Sequence, residues 1–358
     1  MSVYLLNQFP PPSAVYRYAL DINSAVNGSK LYTLLGDISA KSLPDYSKGQ
    51  YVEGRFSHVR VMNKLLYNYS YRNFRRQLSS SADNEIIHYT HPMIQLGVKQ
   101  GVNIVTFHDI PSVLLNSDLF LGESEMHSFK NQIIRKFQSR YYEKYKKYEN
   151  ILTLSNYVRT RLIEEGYPES TKVIYPCISE NFKFIQNKKS LKEKLGLPLD
   201  KICVLSVSTY LKRKNLMMVK KTMEILGDKY KLVRVGPKLL QDDITFPNVN
   251  NEELNNIYNA CDVMLFPSLY EGFGYPMIES FATGLPVVAS DIEVFREVSG
   301  EDAAILVDPN DAKGLVEGVE LAVSTSDKLI ENGFTRARIF SFKNFKDEIN
   351  EYYRSILK

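Results

Sequence analysis

The sequence predicts an α/β protein built from two Rossmann-like domains that face each other across a cleft. Runs of β-branched and apolar residues alternate with helical stretches along the chain, which is typical of parallel sheets flanked by helices. This alternation starts afresh after a polar, lysine-rich stretch, Asn181 to Lys194, so that two halves of similar size result. The length of 358 residues also exceeds the size at which a single core usually divides into domains.

The first half begins with a strand and continues by alternation. Short apolar runs between polar or turn residues predict its strands, and longer stretches between them predict its helices. The predicted strands are Val3–Leu6, Leu31–Leu35, Ile86–Tyr89, Asn103–Phe107, Ile151–Leu154 and Lys172–Tyr175. The predicted helices are Ala14–Val26, Ser57–Leu78, Glu125–Tyr148 and Asn156–Glu165.

The second half repeats the same alternation and ends in two further helices. Its predicted strands are Ile202–Val207, Lys231–Val235, Val263–Phe266, Pro286–Ala289 and Ala304–Val307. Its predicted helices are Asn215–Leu226, Glu252–Ala260, Pro276–Thr283 and Ala312–Ser324. We therefore predict a first domain at 1–182, a second at 183–342 and a C-terminal helix, 343–358, that packs back on the first domain. Because open parallel sheets bind ligands at the carboxyl ends of their strands, the site is expected in the cleft.

Composition narrows the class of protein. Hydrophobic residues make up 44% of the chain and charged residues 24%, which indicates a soluble globular protein and excludes disorder, collagen and a disulfide scaffold. Cys177, Cys203 and Cys261 lie far apart without a CxxC pair, so we expect core residues in a reducing compartment. The sequence contains neither an apolar run long enough to span a membrane nor a signal-peptide pattern. These features predict a cytoplasmic location.

The positive charge is concentrated in the first half. Residues 1–182 hold 21 Lys and Arg against 16 Asp and Glu, a balance of +5, whereas residues 183–358 hold 24 against 25, a balance of −1. The excess lies in two tyrosine-rich segments, Arg55–Arg76 and Lys130–Lys147. A basic, aromatic face can bind phosphates of a membrane surface or of nucleic acid. An ordinary solvated helix face is the alternative.

The most informative segment runs from Asp262 to Asp291. A buried strand leads into the loop Pro267–Tyr275, and Pro276 follows at the position where a helix should start, which suits a residue without an N–H. Gly272 and Gly274 allow the backbone to approach a ligand closely. Free amides of this loop and of the first helical turn suit a phosphate or sugar hydroxyls.

Two carboxylates flank this turn. Glu271 stands on the loop, and Glu279 lies one helical turn inside, so both are expected to face the same cleft. An acid, a glycine turn, a proline at the helix start and a second acid form a far more specific pattern than glycines alone. The alternative is that Glu271 caps the helix and Glu279 is a surface residue.

In these residues the chain resembles the retaining glycosyltransferases of family 4 (glycosyl transferases group 1), which have the GT-B fold. The stretch PSLYEGFGYPMIESFATGLPVVASD is similar to the E-x7-E region of that family, and NEELNNIYNACDV and AAILVDPND appear in the same order. The resemblance covers about Cys203 to Phe342. In the first domain VTFHDIP and ILTLSNYVRTRLIEEGYPESTKVIYPCIS are similar too, whereas residues 1–100 match little.

The resemblance implies roles for the second domain, which would bind a nucleotide sugar. Glu279 would bind the ribose hydroxyls, and Glu271 would lie near the sugar ring. The backbone amides of Phe273, Gly274 and Tyr275, next to Gly272, would hold sugar hydroxyls and phosphate.

The resemblance also implies a diphosphate loop in SVSTYLKRKN. Lys214 matches the lysine that usually faces the diphosphate, and Arg213 fits its RKN variant. Ser208 replaces the usual glycine, and Thr209 stands where many members have arginine, so diphosphate binding would depend more on Arg213 and Lys214. The alternative for Lys212–Lys214 is a solvated turn.

The five histidines fall into three groups according to the predicted element that each one follows or lies on. His108 follows the strand Asn103–Phe107, where the family often has a histidine that approaches the donor sugar. His88 and His91 end another strand and fit either the core or the cleft. His58 and His127 are predicted on helix surfaces.

The function implied is retaining transfer of a sugar from a nucleoside-diphosphate sugar to an acceptor hydroxyl, with Glu271, His108 and Lys214 as catalytic residues. The chain has no D-x-D motif, so no metal or other cofactor is expected. The first domain would bind the acceptor, a glycan, a lipid-linked molecule or a protein, with possible peripheral contact at the cytoplasmic face of a membrane; nucleic acid is not expected. The alternatives are a nucleotide-sugar epimerase or hydrolase on the same fold, and a non-catalytic module that binds sugar nucleotides or nucleic acid.

Overall fold

The fold consists of two parallel sheets with helices against them. The computed structural model describes residues 2–7, 13–33, 50–51, 85–92, 101–110 and 142–357. In these residues every strand pair is parallel, as expected where helices connect successive strands.

The first sheet has the strand order β3-β2-β1-β4-β5-β6-β7. Its strands are β1 Ser2–Asn7, β2 Lys30–Thr33, β3 Gln50–Tyr51, β4 Glu85–Tyr89, β5 Val102–Phe107, β6 Asn150–Thr153 and β7 Lys172–Val173. Strands β1 and β4 are central and buried along nearly their whole length. The carboxyl ends of β4 and β5 therefore lie side by side at one edge of the sheet.

The second sheet has the order β10-β9-β8-β11-β12-β13. Its strands are β8 Ile202–Val207, β9 Tyr230–Val235, β10 Ile244–Phe246, β11 Val263–Phe266, β12 Val287–Ser290 and β13 Ile305–Val307. The order changes direction between β8 and β11, which is where open α/β sheets place their ligands.

The helices follow the strands as predicted for a doubly wound protein. They are α1 Ala14–Ala25, α2 Asn156–Glu164, α3 Lys188–Lys194, α4 Leu216–Leu226, α5 Asn251–Ala260, α6 Tyr275–Thr283, α7 Glu293–Ser299, α8 Ala312–Ser324, α9 Ser326–Ala337 and α10 Phe342–Ser355. Polar caps fix several starts: Ser13 accepts from the Tyr16 amide, Ser155 accepts from the Val158 amide, and Asn250 and Glu253 form a capping box.

The predicted fold class is confirmed, and the predicted strands agree with the structure within one or two residues where it describes them. The prediction missed α3, α7 and the short strands β3 and β10. The predicted helix Ser57–Leu78 and most of Glu125–Tyr148 lie outside the described residues. The described end of Glu125–Tyr148 includes a short 3₁₀ helix, Lys144–Lys147.

The last helix, α10, crosses from the second domain to the first. Its Asn350 amide donates to the Ala25 carbonyl at 3.0 Å, and the Phe345 ring packs edge-on against Tyr18 with centroids 5.9 Å apart. The Tyr353 hydroxyl and the His88 ring nitrogen Nδ1 are 2.6 Å apart. One hydrophobic cluster therefore runs from β1 through α1 into α10.

Two tyrosines of the segment Lys130–Lys147 correct the predicted aromatic face. Tyr142 and Tyr145 are buried in the core of the first domain, where Phe107 packs against both rings. Neither ring is therefore available to a membrane. Arg55–Arg76 and the rest of Lys130–Lys147 before Tyr142 lie outside the described residues. Within the described ranges, no helix combines the length and apolar character needed to span a bilayer.

Candidate active site

The site is built on the turn between β11 and α6. Tyr275 and Pro276 form the first residues of α6, and Gly274 before them adopts a left-handed conformation with φ of 109°. A Cβ atom at Gly274 would lie 2.9 Å from the Phe295 ring, so both the conformation and the space require glycine. The side chain of Phe273 is buried and packs against Phe340. At Phe273 and Gly274 the polar groups of the turn are therefore those of the backbone.

Glu271 lies between two cations. Its Oε1 is 2.5 Å from Lys214 Nζ, and its Oε2 is 2.8 Å from Arg213 Nη1. Burial alone would raise the pKa of Glu271, but the positive charges of Lys214 and Arg213 outweigh it and lower the pKa below the usual value. Glu271 is therefore an ionised, nearly buried carboxylate in an electropositive site.

The basic turn Lys212–Lys214 is held against the Glu271 loop rather than solvated as a whole. It forms a 3₁₀ turn, and the Leu269 amide donates to the Arg213 carbonyl at 2.7 Å. Only 17% and 13% of the Arg213 and Lys214 side chains are exposed, which excludes a solvated turn for these two residues. Burial lowers the pKa of Lys214 despite the nearby Glu271.

Thr209 is more exposed than these two cations. It is exposed in the loop after β8. The buried residue near this loop is Arg234, which donates to the Ser206 hydroxyl at 2.7 Å and to the Ser208 carbonyl at 2.8 Å. Arg234 was not predicted as a site residue, because an arginine inside a predicted strand gives no signal of a cleft position.

His108 and Asp109, which directly follow β5, meet this loop across the domain boundary. A Cβ atom at Gly272 would overlap the His108 carbonyl oxygen and lie 2.9 Å from Asp109 Cβ. Burial raises the pKa of Asp109 to about 6, although Arg213 lowers it. Asp109 thus adds a second carboxyl group near Arg213 that sequence analysis did not select.

His108 is a neutral imidazole with a fixed orientation. Its Nε2 lies 2.8 Å from the Thr90 carbonyl oxygen and donates to it, and its ring stacks on His91 with centroids 6.0 Å apart. Burial lowers the pKa of His108 to about 4, despite the bond to Thr90. His91 belongs to the same strand-end cluster. His88 instead lies in the core, with Nε2 2.6 Å from the Thr106 hydroxyl; His58 and His127 lie outside the described residues.

Glu279 is buried in the second domain but contacts the first. The Tyr258 hydroxyl donates to Oε2 at 2.8 Å, and Arg17 of α1 pairs with Oε1. The Arg17 guanidinium lies over the rings of Tyr275 and Phe182, at 5.0 and 5.3 Å from their centroids. Glu279 is therefore not a surface residue. Sequence spacing gave no signal for Arg17, which is 262 residues from its partner.

The structure thus brings Glu271, Arg213 and Lys214 together, with the Gly272–Tyr275 turn beside them and the His108–Asp109 segment against it. Glu279 lies further along α6 with Arg17. Among the described residues, no group of three or more His, Cys, Asp or Glu side chains is placed to hold a metal ion. Metal independence stays a prediction.

Comparisons with known proteins give the class of protein. Residues 187–336 match the family model for glycosyl transferases group 1. The O-antigen chain mannosyltransferase RfbU of Salmonella typhimurium is 28% identical over 279 residues, which cover 73% of this chain and 75% of that protein. The O-antigen chain mannosyltransferase B of Escherichia coli is 24% identical over 305 residues, covering 78% and 77%.

Solved structures share the whole architecture at low sequence identity. Sucrose-phosphate synthase from Thermosynechococcus elongatus superposes with a TM-score of 0.79 at 16% identity, covering 99% of each chain. HepE of Anabaena, in complex with UDP and glucose, gives a TM-score of 0.76 at 15% identity, covering 99% of this chain and 100% of its own.

The solved structures show the GT-B fold, and the family match and the two relatives show a glycosyltransferase. Within that class, the chain is similar to the glycosyl transferases group 1, whose family model matches residues 187–336. The predictions of a GT-B protein and of a glycosyltransferase are therefore confirmed.

Proposed function

We propose that the protein transfers a sugar from a nucleoside-diphosphate sugar to an acceptor hydroxyl, with retention at the anomeric carbon and without a metal ion. The observation that carries this proposal is the contact of Glu271 with both Arg213 and Lys214 beside the start of α6. Two cations of low exposure and a set of helix-start amides suit a leaving diphosphate.

The electrostatics favour the transition state over the bound substrate. Negative charge on the diphosphate grows as the glycosidic bond breaks, and Arg213 and Lys214 interact with it more strongly as it grows. Low exposure of both side chains strengthens this effect, because screening by water is weak there. Glu271 is ionised beside them, which suits stabilisation of an oxocarbenium-like sugar.

The acceptor hydroxyl needs no buried base in this proposal. His108 is neutral and its Nε2 hydrogen is used by the Thr90 carbonyl, so we assign it to orienting the donor sugar rather than to holding a proton. An oxygen of the departing phosphate can take the acceptor proton, because the acceptor attacks the same face of the sugar that the phosphate leaves. Exclusion of water by closed domains would make transfer faster than hydrolysis.

The transferred sugar is proposed to be mannose, and the acceptor a glycan. The support is the similarity to RfbU and to mannosyltransferase B, both named as O-antigen chain mannosyltransferases. Glu279 would hold the ribose of the donor. The names of the two mannosyltransferases specify no nucleotide, whereas HepE was crystallised with UDP. The donor screen below therefore includes several nucleotides.

The test combines a donor screen with two variants. GDP-mannose, UDP-glucose and ADP-glucose are assayed for hydrolysis with EDTA present, and the anomeric configuration of the product is read by proton NMR. Lys214→Ala should lower kcat about a hundredfold or more. Glu279→Gln should weaken nucleoside diphosphate binding about tenfold in calorimetry.

Each part of the proposal has its own contrary result. Activity that disappears in EDTA and returns with Mg²⁺ or Mn²⁺ contradicts metal independence. A product of inverted configuration contradicts retention. A wild-type kcat in Lys214→Ala contradicts the role assigned to Lys214. Wild-type nucleotide affinity in Glu279→Gln contradicts the role assigned to Glu279. Turnover of the glucose donors without turnover of GDP-mannose contradicts mannose as the transferred sugar.

A further inference from the structure

A cavity of about 340 Å³ lies beside Glu271, between helices of the two domains. Tyr157 and Arg161 of α2 line it from the first domain, and Asp291, Glu293 and Arg296 line it from the start of α7 and the residues before it. The volume is close to the lower end for small-molecule pockets, about 300 Å³. It suits a ligand the size of a single sugar residue.

The cavity is separate from the positions proposed for the nucleotide. Among the described residues that line it, neither Glu279 nor its partners Arg17 and Tyr258 occur, and neither do Arg213 and Lys214. Glu271 is the shared residue: it lines the cavity and is held by the two cations. A molecule in the cavity would therefore lie against Glu271, the residue proposed to lie near the donor sugar.

The charges around the cavity are paired. Arg296 Nε is 2.5 Å and Arg296 Nη2 is 2.8 Å from the two carboxylate oxygens of Asp291. Arg161 lies 3.4 Å from Glu293 across the domain boundary. A rim whose arginines are already neutralised gives little attraction for a phosphate, whereas it offers both donors and acceptors to hydroxyl groups.

The inner wall is apolar and aromatic. The rings of Tyr157 and Tyr270 lie 6.3 Å apart, and Tyr270 and Val294 are buried. An apolar wall below a ring of donors and acceptors matches a pyranose, which has C–H faces and hydroxyls at its edge. The chemistry thus favours a neutral sugar over an anionic or purely apolar ligand.

The two sides of the cavity are held at a fixed distance. Glu297 of α7 accepts from the Asn156 amide at 2.6 Å, from the Tyr157 amide at 2.9 Å and from the Tyr175 hydroxyl at 2.9 Å. These bonds join the start of α2 to α7. Tyr157 and Arg161 are consequently positioned opposite Asp291 whenever the domains are closed.

We propose that this cavity is the subsite for the acceptor's terminal sugar, a neutral pyranose whose hydroxyl faces Glu271. The proposal rests on the proposed function and deepens it, because it assigns a substrate class to the side of Glu271 away from the diphosphate cations. Asp291 and Glu293 accept from the sugar hydroxyls, and Arg161 and Arg296 donate to them.

The experiment is saturation-transfer NMR of the full chain with methyl α-D-mannopyranoside, methyl α-D-glucopyranoside and methyl α-D-galactopyranoside, in the presence of GDP or UDP. At least one glycoside should bind the wild-type protein. Arg161→Ala removes a donor, and Asp291→Asn replaces a charged acceptor by a weaker neutral one, so each should weaken that binding about tenfold. Arg338→Ala, which removes an exposed arginine outside the cavity, should leave it unchanged.

The outcomes separate this subsite from the proposed function. Calorimetry with the nucleoside diphosphate should give the same affinity in all variants, and circular dichroism confirms that each is folded. Failure of all three glycosides to bind the wild-type protein, or equal binding by Arg161→Ala and Asp291→Asn, overturns the subsite. Weaker nucleotide binding in these variants assigns the cavity to the donor instead. Absence of nucleotide binding and donor turnover in the wild-type protein contradicts the proposed function itself.

Discussion

Two glutamates eight residues apart serve different contacts because their partners come from different parts of the chain. Glu271 contacts Arg213 and Lys214, which belong to its own domain. Glu279 contacts Arg17 from the other domain. Both carboxylates are nearly buried, and an unpaired buried charge is costly, so each pairing stabilises the fold as well as the site.

Asp21 provides a pH-dependent test at the scale of a residue. It lies on α1 near Arg17 and Cys177, and burial raises the pKa of its carboxyl from 3.8 to about 7 although both neighbours lower it. The folded protein therefore keeps a proton that the unfolded chain has already released. Consequently the contribution of Asp21 to the free energy of unfolding falls as pH rises from about 4 to about 7, whereas the contribution of His108, whose pKa is lowered, rises over part of the same range.

The substitution Asp21→Asn removes this titration. We expect the slope of the unfolding free energy against pH to be more positive than in the wild type between pH 4 and 7, measured by urea unfolding at several pH values. Asp228→Asn, at an exposed position, serves as the control and should keep the wild-type slope. An unchanged slope in Asp21→Asn would contradict the raised pKa.

At this scale the sequence predicts the contacts that local motifs encode. The E-x7-E pattern and the RKN turn led to Glu271, Arg213 and Lys214, which the structure brings into contact. Arg17 could not be predicted, because its partner lies in the other domain and no spacing rule links the two. Tyr142 and Tyr145 were misassigned to a surface, because a tyrosine's place in a core depends on packing rather than on the charge of its segment.

The element that organises the site is the loop before α6. Ser155, the cap of α2, donates to the Gly272 carbonyl at 2.7 Å, and the Ile110 amide donates to the Tyr270 hydroxyl at 2.8 Å. The loop is thus fixed by the first domain as well as by its own. This close approach leaves no space for a side chain at Gly272.

Gly272→Ala should force the loop away from the first domain. The new methyl group would overlap the His108 carbonyl, so we expect a loss of about 1–3 kcal/mol in the free energy of unfolding. Transfer should slow more than nucleotide binding weakens, because Arg213, Lys214 and Glu279 all belong to the second domain. Urea unfolding, calorimetry and initial rates measure the three quantities.

Gly28→Ala is a suitable control for this substitution. Gly28 has φ of +78° but open space around it, so alanine there costs about 1 kcal/mol of backbone strain without touching the site. Its transfer rate should match the wild type. Wild-type stability and transfer rate in Gly272→Ala would contradict the prediction, because the neighbouring segments would then have moved to accommodate the methyl group.

A strand or helix could be predicted from the sequence where its apolar residues form a clear pattern. Buried parallel strands such as Ile202–Val207 and Val263–Phe266 are continuous apolar runs and were predicted with their observed bounds. Helix α3 was missed because its sequence, KKSLKEK, is mostly lysine and suggested a linker. Its Lys192 is nevertheless buried and lies 2.7 Å from Asp262, so the stem packs while the charge is paired.

On the scale of the whole molecule, contacts around the site hold the two domains closed. They include the Arg17–Glu279 ion pair, the bonds from α2 to Glu297, and the packing of α10 on α1. The Arg17 contact differs from the others because it occupies the carboxylate proposed to bind ribose. Nucleotide binding and this domain contact should therefore compete for Glu279.

Arg17→Met tests that competition. Methionine keeps an apolar stem against Tyr275 and Phe182 but removes the charge, so Glu279 Oε1 loses its partner. We expect tighter binding of the nucleoside diphosphate in calorimetry, since the ribose no longer displaces a guanidinium. We also expect a larger radius of gyration in X-ray scattering without nucleotide, because one contact that closes the domains is lost. Arg161→Ala breaks the exposed pair with Glu293 and should leave nucleotide affinity unchanged. Weaker nucleotide binding in Arg17→Met would instead place the guanidinium among the groups that bind the donor.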